Sequence, residues 1–132
     1  MTEGHAVAMR ARRLVGVRFR PQGRSVEHGL DCLGVAALAA GLPLELVPRR
    51  YRMSDEVSQA LLGLDFGGRA KPLPPAEARV GDVLLVETGP RRRHFVVLVD
   101  GGFVHADARL GRVSEVPGPV AWPLVAAWRV AG

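Results

Sequence analysis

The chain holds one cysteine, Cys32, and it stands where a helix begins. In Gly29-Leu30-Asp31-Cys32-Leu33-Gly34-Val35-Ala36-Ala37-Leu38-Ala39-Ala40 a short polar entry runs into a strongly helix-forming stretch. Asp31 is suited to cap that helix, which puts Cys32 in its first turn. There, unpaired backbone N–H groups and the positive end of the helix dipole favour a thiolate over a thiol. The pattern therefore predicts a reactive nucleophile with a lowered pKa.

A nucleophile of this kind needs a base, and two histidines stand far along the chain in His94-Phe95-Val96-Val97-Leu98-Val99-Asp100-Gly101-Gly102-Phe103-Val104-His105. Asp-Gly between apolar runs is a strong hairpin signal. With Asp100-Gly101 as the turn, Val99 pairs with Gly102, Leu98 with Phe103 and Val96 with His105, and His94 lies opposite Asp107. Directly opposite residues share a face and side chains alternate along each strand, so His94 and His105 become same-face diagonal neighbours. Taken singly, Cys32 reads as a small buried hydrophobe, and either histidine as a hydrogen-bonded core residue. The combination points instead to a cysteine hydrolase, with one imidazole as base and the other orienting it.

The elements that must position these groups follow from periodicity and punctuation. Residues 5–15 read as a helix with Val7, Leu14 and either Met9 or Ala11 facing inward, ended by Gly16. Residues 17–29 read as an irregular loop. The Cys32 helix is closed by Gly41 with Pro43 beyond. Residues 43–53 look extended or irregular, a short helix is expected from about Asp55 to Leu62 behind Ser54, and residues 63–75 form a surface connection. Strands are expected at 83–87, 95–99 and 103–106, with weaker candidates at 112–116 and 126–130. Helices first and an antiparallel meander after predict an α+β domain.

At 132 residues, 48% of them apolar, the chain is expected to form one domain over 1–132 with a real core. A lone cysteine excludes an internal disulfide and a multi-cysteine zinc site, and neither a cofactor nor a metal is expected. There is no signal-peptide pattern at the start and no 18-residue apolar stretch, so synthesis in the cytoplasm and no membrane partner are expected. The formal charge of +5 rests on short arginine clusters: Arg10/Arg12/Arg13, Arg49/Arg50/Arg52 and Arg91-Arg92-Arg93. These could attract a polyanion or be ordinary solvated side chains; no nucleic-acid-binding motif accompanies them, so nucleic acid is not expected as a main partner.

Four segments in order, Gly29-Leu30-Asp31-Cys32-Leu33-Gly34-Val35, Arg79-Val80-Gly81-Asp82-Val83-Leu84-Leu85, His94-Phe95-Val96-Val97-Leu98 and Gly102-Phe103-Val104-His105-Ala106, resemble the successive motifs of NlpC/P60 cysteine peptidases. The resemblance covers residues from about 16 to 130. It is nearest to the short single-domain forms of phage tails and gene-transfer-agent clusters. It implies a papain-like α+β fold in which the cysteine helix packs on an antiparallel sheet. It also implies Cys32 as nucleophile, His94 as general base and acid, and His105 as the residue orienting His94. Substrates would be peptidoglycan stem peptides, reached by delivery in a phage-like particle together with tail or gene-transfer-agent proteins. Asp31 is the helix cap, with a possible share in holding the substrate amine, and Phe19 stands where the family commonly has a substrate-facing Tyr. Asp82 reads as a turn residue, and Asp107 is within reach of either histidine without being required. Leu33, Val96 and Phe19 depart from the family pattern. They favour the alternative of a catalytically weak or inactive tail-assembly or wall-binding module.

Overall fold

The computed structural model describes residues 3–41 and 70–130; the expected helix at 55–62 and the segment 43–53 lie outside them. Two helices, α1 (Glu3–Arg13) and α2 (Cys32–Ala39), pack on one face of a six-stranded antiparallel sheet. Its strands are β3 (Ala70–Leu73), β4 (Val83–Gly89), β5 (Arg92–Val99), β6 (Gly102–Asp107), β7 (Arg112–Pro117) and β8 (Leu124–Val130), in the order β3-β8-β4-β5-β6-β7. The expected α+β arrangement of a cysteine helix on an antiparallel sheet is what forms. Strands β4 to β7 are the expected meander, and β8 returns to the far edge of β4.

Two expectations are corrected. Residues 70–73 are not surface connection: Ala70 pairs with Val130 and Leu73 with Ala127, making β3 an edge strand beside β8. Its Pro72 is tolerated because an edge strand has a side without ladder bonds. The 17–29 loop also contains a minimal hairpin, β1 (Arg24–Ser25) against β2 (Gly29–Leu30), which leads the chain into α2.

Alternation along the strands makes two cores. Val83, Leu85, Phe95, Val97, Val99, Val104, Ala106, Val113 and Trp128 point to the helices, whereas Leu84, Val86, Val96, Phe103 and Ala127 point to the opposite face. Strand β4 is buried on both sides, which is why Val83-Leu84-Leu85-Val86 is an unbroken apolar run rather than an alternating one. Against the first core, α1 buries Val7, Ala8 and Ala11, with Leu14 beyond its end, while Met9 points to solvent. Helix α2 is apolar nearly all round and correspondingly buried, with Leu33, Val35, Ala36, Ala37 and Ala39 all inside. Its C-terminal carbonyl at Ala39 accepts a 2.7 Å bond from Arg10 Nε, a cation at the negative end of the helix.

Asp82 is the turn residue expected. It is buried just before β4, where its carboxylate accepts the Arg79 N–H and both Nε and Nη2 of Arg129. Gly81 in the same turn has φ +92°, and a Cβ there would run into the backbone of Gly4 at the start of α1.

Candidate active site

The site is assembled where β5 and β6 part. Their ladder holds Val99↔Gly102, Leu98↔Phe103 and Val97↔Val104, as the Asp100-Gly101 turn predicts, and then stops. The expected continuation to Val96↔His105 does not form. Beyond this point β5 continues against β4, and β6 against β7, down to Asp107↔Arg112. The parity set by the turn persists across the opening, so both histidines still come together. His94 Nε2 and His105 Nδ1 are 2.8 Å apart, with the rings edge to face.

Cys32 approaches from the helix side. Asp31 caps α2 from an extended backbone conformation, its Oδ1 accepting the Gly34 N–H at 2.8 Å. The same oxygen receives Arg24 Nη1 at 2.6 Å, and both side chains are buried. Arg24 reaches it because residues 20–25 lie against the first turn of α2. A Cβ on Gly34 would meet the Gly23 carbonyl at 2.8 Å, so only glycine permits that approach. At the open end of β5, a backbone hydrogen bond from Phe95 goes to the Cys32 sulfur, one residue from His94.

Cys32, His94, His105, Asp31 and Phe19 all line one cavity of about 580 Å³, together with Gln22, Asp107 and Trp122. The five residues singled out in the sequence are therefore brought to one place. Trp122 was not singled out. It stands edge to face with His94 at 6.0 Å and with His105 at 5.7 Å between ring centroids, walling the pair from the far side. The only hint was a lone tryptophan between Pro119 and Pro123. Arg24 carried no signal at all, because its partner Asp31 is recognised only after the loop folds back.

The electrostatics depart from the expectation of a thiolate. Cys32 is only 6% exposed, and burial pushes its thiol from 9.0 up to about 12. Asp31 adds to the rise, while the backbone bonds from Phe95 and Leu33 and the charge of Arg24 oppose it. A helix terminus is worth at most ~2 kcal/mol to an anion, whereas this rise corresponds to ~4 kcal/mol against it. Desolvation wins. Burial likewise lowers His94 to about 4, with His105 lowering it further and Asp107 opposing. His105 is also lowered, by burial, again against the pull of Asp107. At neutral pH the cavity therefore holds a thiol at Cys32 and a neutral imidazole at His94.

Asp107 selects the tautomers. Its Oδ2 lies 3.8 Å from His105 Nε2, which favours a proton on that nitrogen. His105 Nδ1 is then an acceptor, so His94 donates through Nε2–H and keeps a lone pair on Nδ1. Asp107 Oδ1 is held in turn by the backbone N–H groups of Arg109 and Leu110. Among the described residues no group of three or more His, Cys, Asp or Glu side chains is arranged to hold a metal.

No protein-family model and no curated protein sequence matches the chain. Solved structures do. The fold resembles NlpC1 from Trichomonas vaginalis with a TM-score of 0.67 at 17% identity, over 97% of this chain and 44% of that one. It resembles the peptidoglycan hydrolase RipB from Mycobacterium tuberculosis with a TM-score of 0.61 at 23% identity, over 98% and 65%. RipD from the same organism, described as a non-catalytic NlpC/p60 domain protein adapted to peptidoglycan binding, aligns with a TM-score of 0.57 at 18% identity, over 98% and 97%. The chain thus spans under half the length of the Trichomonas protein but nearly all of RipD. Its fold is the NlpC/P60 fold.

Proposed function

We propose that the protein is a thiol hydrolase of single-domain NlpC/P60 type that cleaves amide bonds in peptidoglycan stem peptides. The observation that carries this reading is the convergence of Cys32, His94 and His105 in one open cavity, with the two imidazoles bonded at 2.8 Å. In the mechanism, His94 takes the Cys32 proton as the sulfur attacks the amide carbon, and the imidazolium is stabilised by the His105–Asp107 chain. It then returns the proton to the leaving amine, and water hydrolyses the thioester with His94 again as base. The Cys32 N–H, in the first turn of α2 and without an intrahelical acceptor, serves as oxyanion donor. Action within a phage-tail or gene-transfer-agent particle is part of the proposal and is supported by the motif resemblance alone.

A second reading, a non-catalytic peptidoglycan-binding module, is favoured by one observation: the Cys32 side chain is buried, only 6% exposed. Incubation with stem-peptide fragments separates the two. The hydrolase releases a new amine, and Cys32→Ala and His94→Ala each abolish release while keeping the wild-type circular dichroism. A wild type that binds fragments yet releases nothing from any stem peptide or simple amide sinks the first reading and leaves the second.

A further inference from the structure

The link from β7 to β8 has to cross the sheet. With the strands ordered β3-β8-β4-β5-β6-β7, it passes β6, β5 and β4 on its way. It does so on the face turned away from the helices, where Val120 and Trp122 pack on the second core. Both ends are tied down: the Gly118 N–H donates to the Gly101 carbonyl at 2.8 Å, and the Pro123 carbonyl accepts the Glu87 N–H at 3.0 Å. Pro119 and Pro123 stiffen the backbone of this strap. Trp122 is thereby delivered to the back of the histidine pair, its ring centroid 6.0 Å from His94 and 5.7 Å from His105. Phe103 completes the cluster, 5.4 Å from His105 and 5.8 Å from Trp122.

The pair needs such a support. The β5–β6 ladder ends at Val97↔Val104, so it no longer fixes the distance between the two histidines. Their 2.8 Å bond sets one nitrogen against another but leaves the ring planes loose, because the imidazole χ2 torsion is broad and roughly two-fold. A half-turn of the His94 ring about that torsion would bring a carbon to His105 Nδ1 and break the bond. An edge-to-face aromatic neighbour is directional and favours one ring orientation. Trp122 supplies one to both imidazoles, with interplanar angles of 82° and 62°. We infer that Trp122 is a positioning residue, holding His94 and His105 in the arrangement that keeps the His94 Nδ1 lone pair for Cys32. This deepens the hydrolase reading and rests on it for the proton transfer, not for the ring geometry. The titratable and charged groups that share the cavity, Asp107, Cys32, Asp31, Arg92, Arg93 and Arg109, are unchanged by substitution at Trp122, so a response of the pair reports the indole itself.

Three variants separate a directional ring from mere bulk. Trp122→Phe keeps an aromatic face, Trp122→Leu keeps apolar cover over the second core without one, and Trp122→Ala removes both. The first readout needs no substrate. Nitrogen NMR of the imidazoles distinguishes a protonated ring nitrogen from a bare one, with the exposed His5 and His28 as references. Wild type and Trp122→Phe should show His94 protonated at Nε2 and bare at Nδ1, whereas Trp122→Leu and Trp122→Ala should show averaged tautomers. The second readout is turnover of a stem peptide. Here kcat should fall about 10- to 100-fold in Trp122→Leu, the cost of a slightly misplaced reacting group, with KM changed less. In Trp122→Phe it should stay within about threefold of wild type, because the edge-to-face contact is kept. Averaged tautomers in the wild type, wild-type tautomers in Trp122→Leu, or a phenylalanine variant no better than the leucine one overturns the proposal. Trp122→Leu decides the matter where Trp122→Ala does not fold. If the tautomers respond as expected but the wild type cleaves no stem peptide, the positioning stands and the hydrolase reading falls.

Discussion

The resting state of the thiol makes a quantitative prediction about its reactivity. At pH 7 a thiol of pKa about 12 is ionised to roughly one part in 10⁵, against a few per cent for an ordinary cysteine near 8.5. That is a deficit of ~10³·⁵ in thiolate. The more basic thiolate is intrinsically the better nucleophile and recovers ~10¹·⁵ at a Brønsted slope of 0.4–0.5. Cys32 should therefore react with iodoacetamide about 100-fold more slowly than free cysteine, before any further loss from occlusion by the pocket walls. The measurement is the second-order alkylation rate from pH 5 to 10, with unfolded protein in urea as the internal reference. The logarithm of the folded-state rate should climb with unit slope and show no plateau below pH 10. A plateau below pH 7, or a rate at neutral pH matching free cysteine, would refute the argument. It would mean that a thiolate–imidazolium pair outweighs the desolvation of Cys32. The same reasoning predicts a broad pH profile for kcat/KM, since activity needs one proton on the pair and that form persists between His94 at about 4 and Cys32 at about 12.

Three further outcomes follow from the site's construction. Asp31→Ala removes a cap worth ~1 kcal/mol and leaves Arg24 buried without its carboxylate, so a total loss of about 3–5 kcal/mol is expected in urea unfolding; Asp31→Asn, which keeps the cap, should lose less. Acid stability should carry the signature of His94. Below pH 6.5 the unfolded chain takes up a proton that native His94 refuses until about pH 4, so stability falls as pH drops through that window, by at most ~3 kcal/mol and by less as water reaches the ring; comparing His94→Gln with wild type at pH 7 and pH 4.5 checks the slope. Asp107→Asn should lower kcat by about two- to fivefold, the worth of a partly exposed charge at 3.8 Å, with KM little changed; unaltered kcat would remove Asp107 from the tautomer argument.

Much of this site was legible because local rules set it. The Asp31 cap, the start of α2 at Cys32 and its end before Gly41 are contacts within a few residues, so composition and spacing carry them. The hairpin parity that brings His94 to His105 is also local, since a two-residue turn dictates which side chains share a face. The strands β4 to β8 and the meander of β4 to β7 followed from apolar runs separated by turn residues, whereas the return of β8 to the far edge of β4 carried no such signal. The edge strand at 70–73 was missed because Pro72 and Lys71 carry no strand signal, and only pairing with β8 makes them one.

What the linear chain could not contain is the balance of environments. A helix start argues for a thiolate, but the sign of the effect at Cys32 depends on how much water the folded sheet and loops exclude. That exclusion is collective, since Cys32 belongs to the core cluster in which both helices meet the sheet. The end of the β5–β6 ladder, the wall formed by Trp122 and the burial of Arg24 on Asp31 are likewise products of segments far apart in sequence meeting in space. Residue types decided which chemistry was available here; packing decided the protonation state in which that chemistry waits.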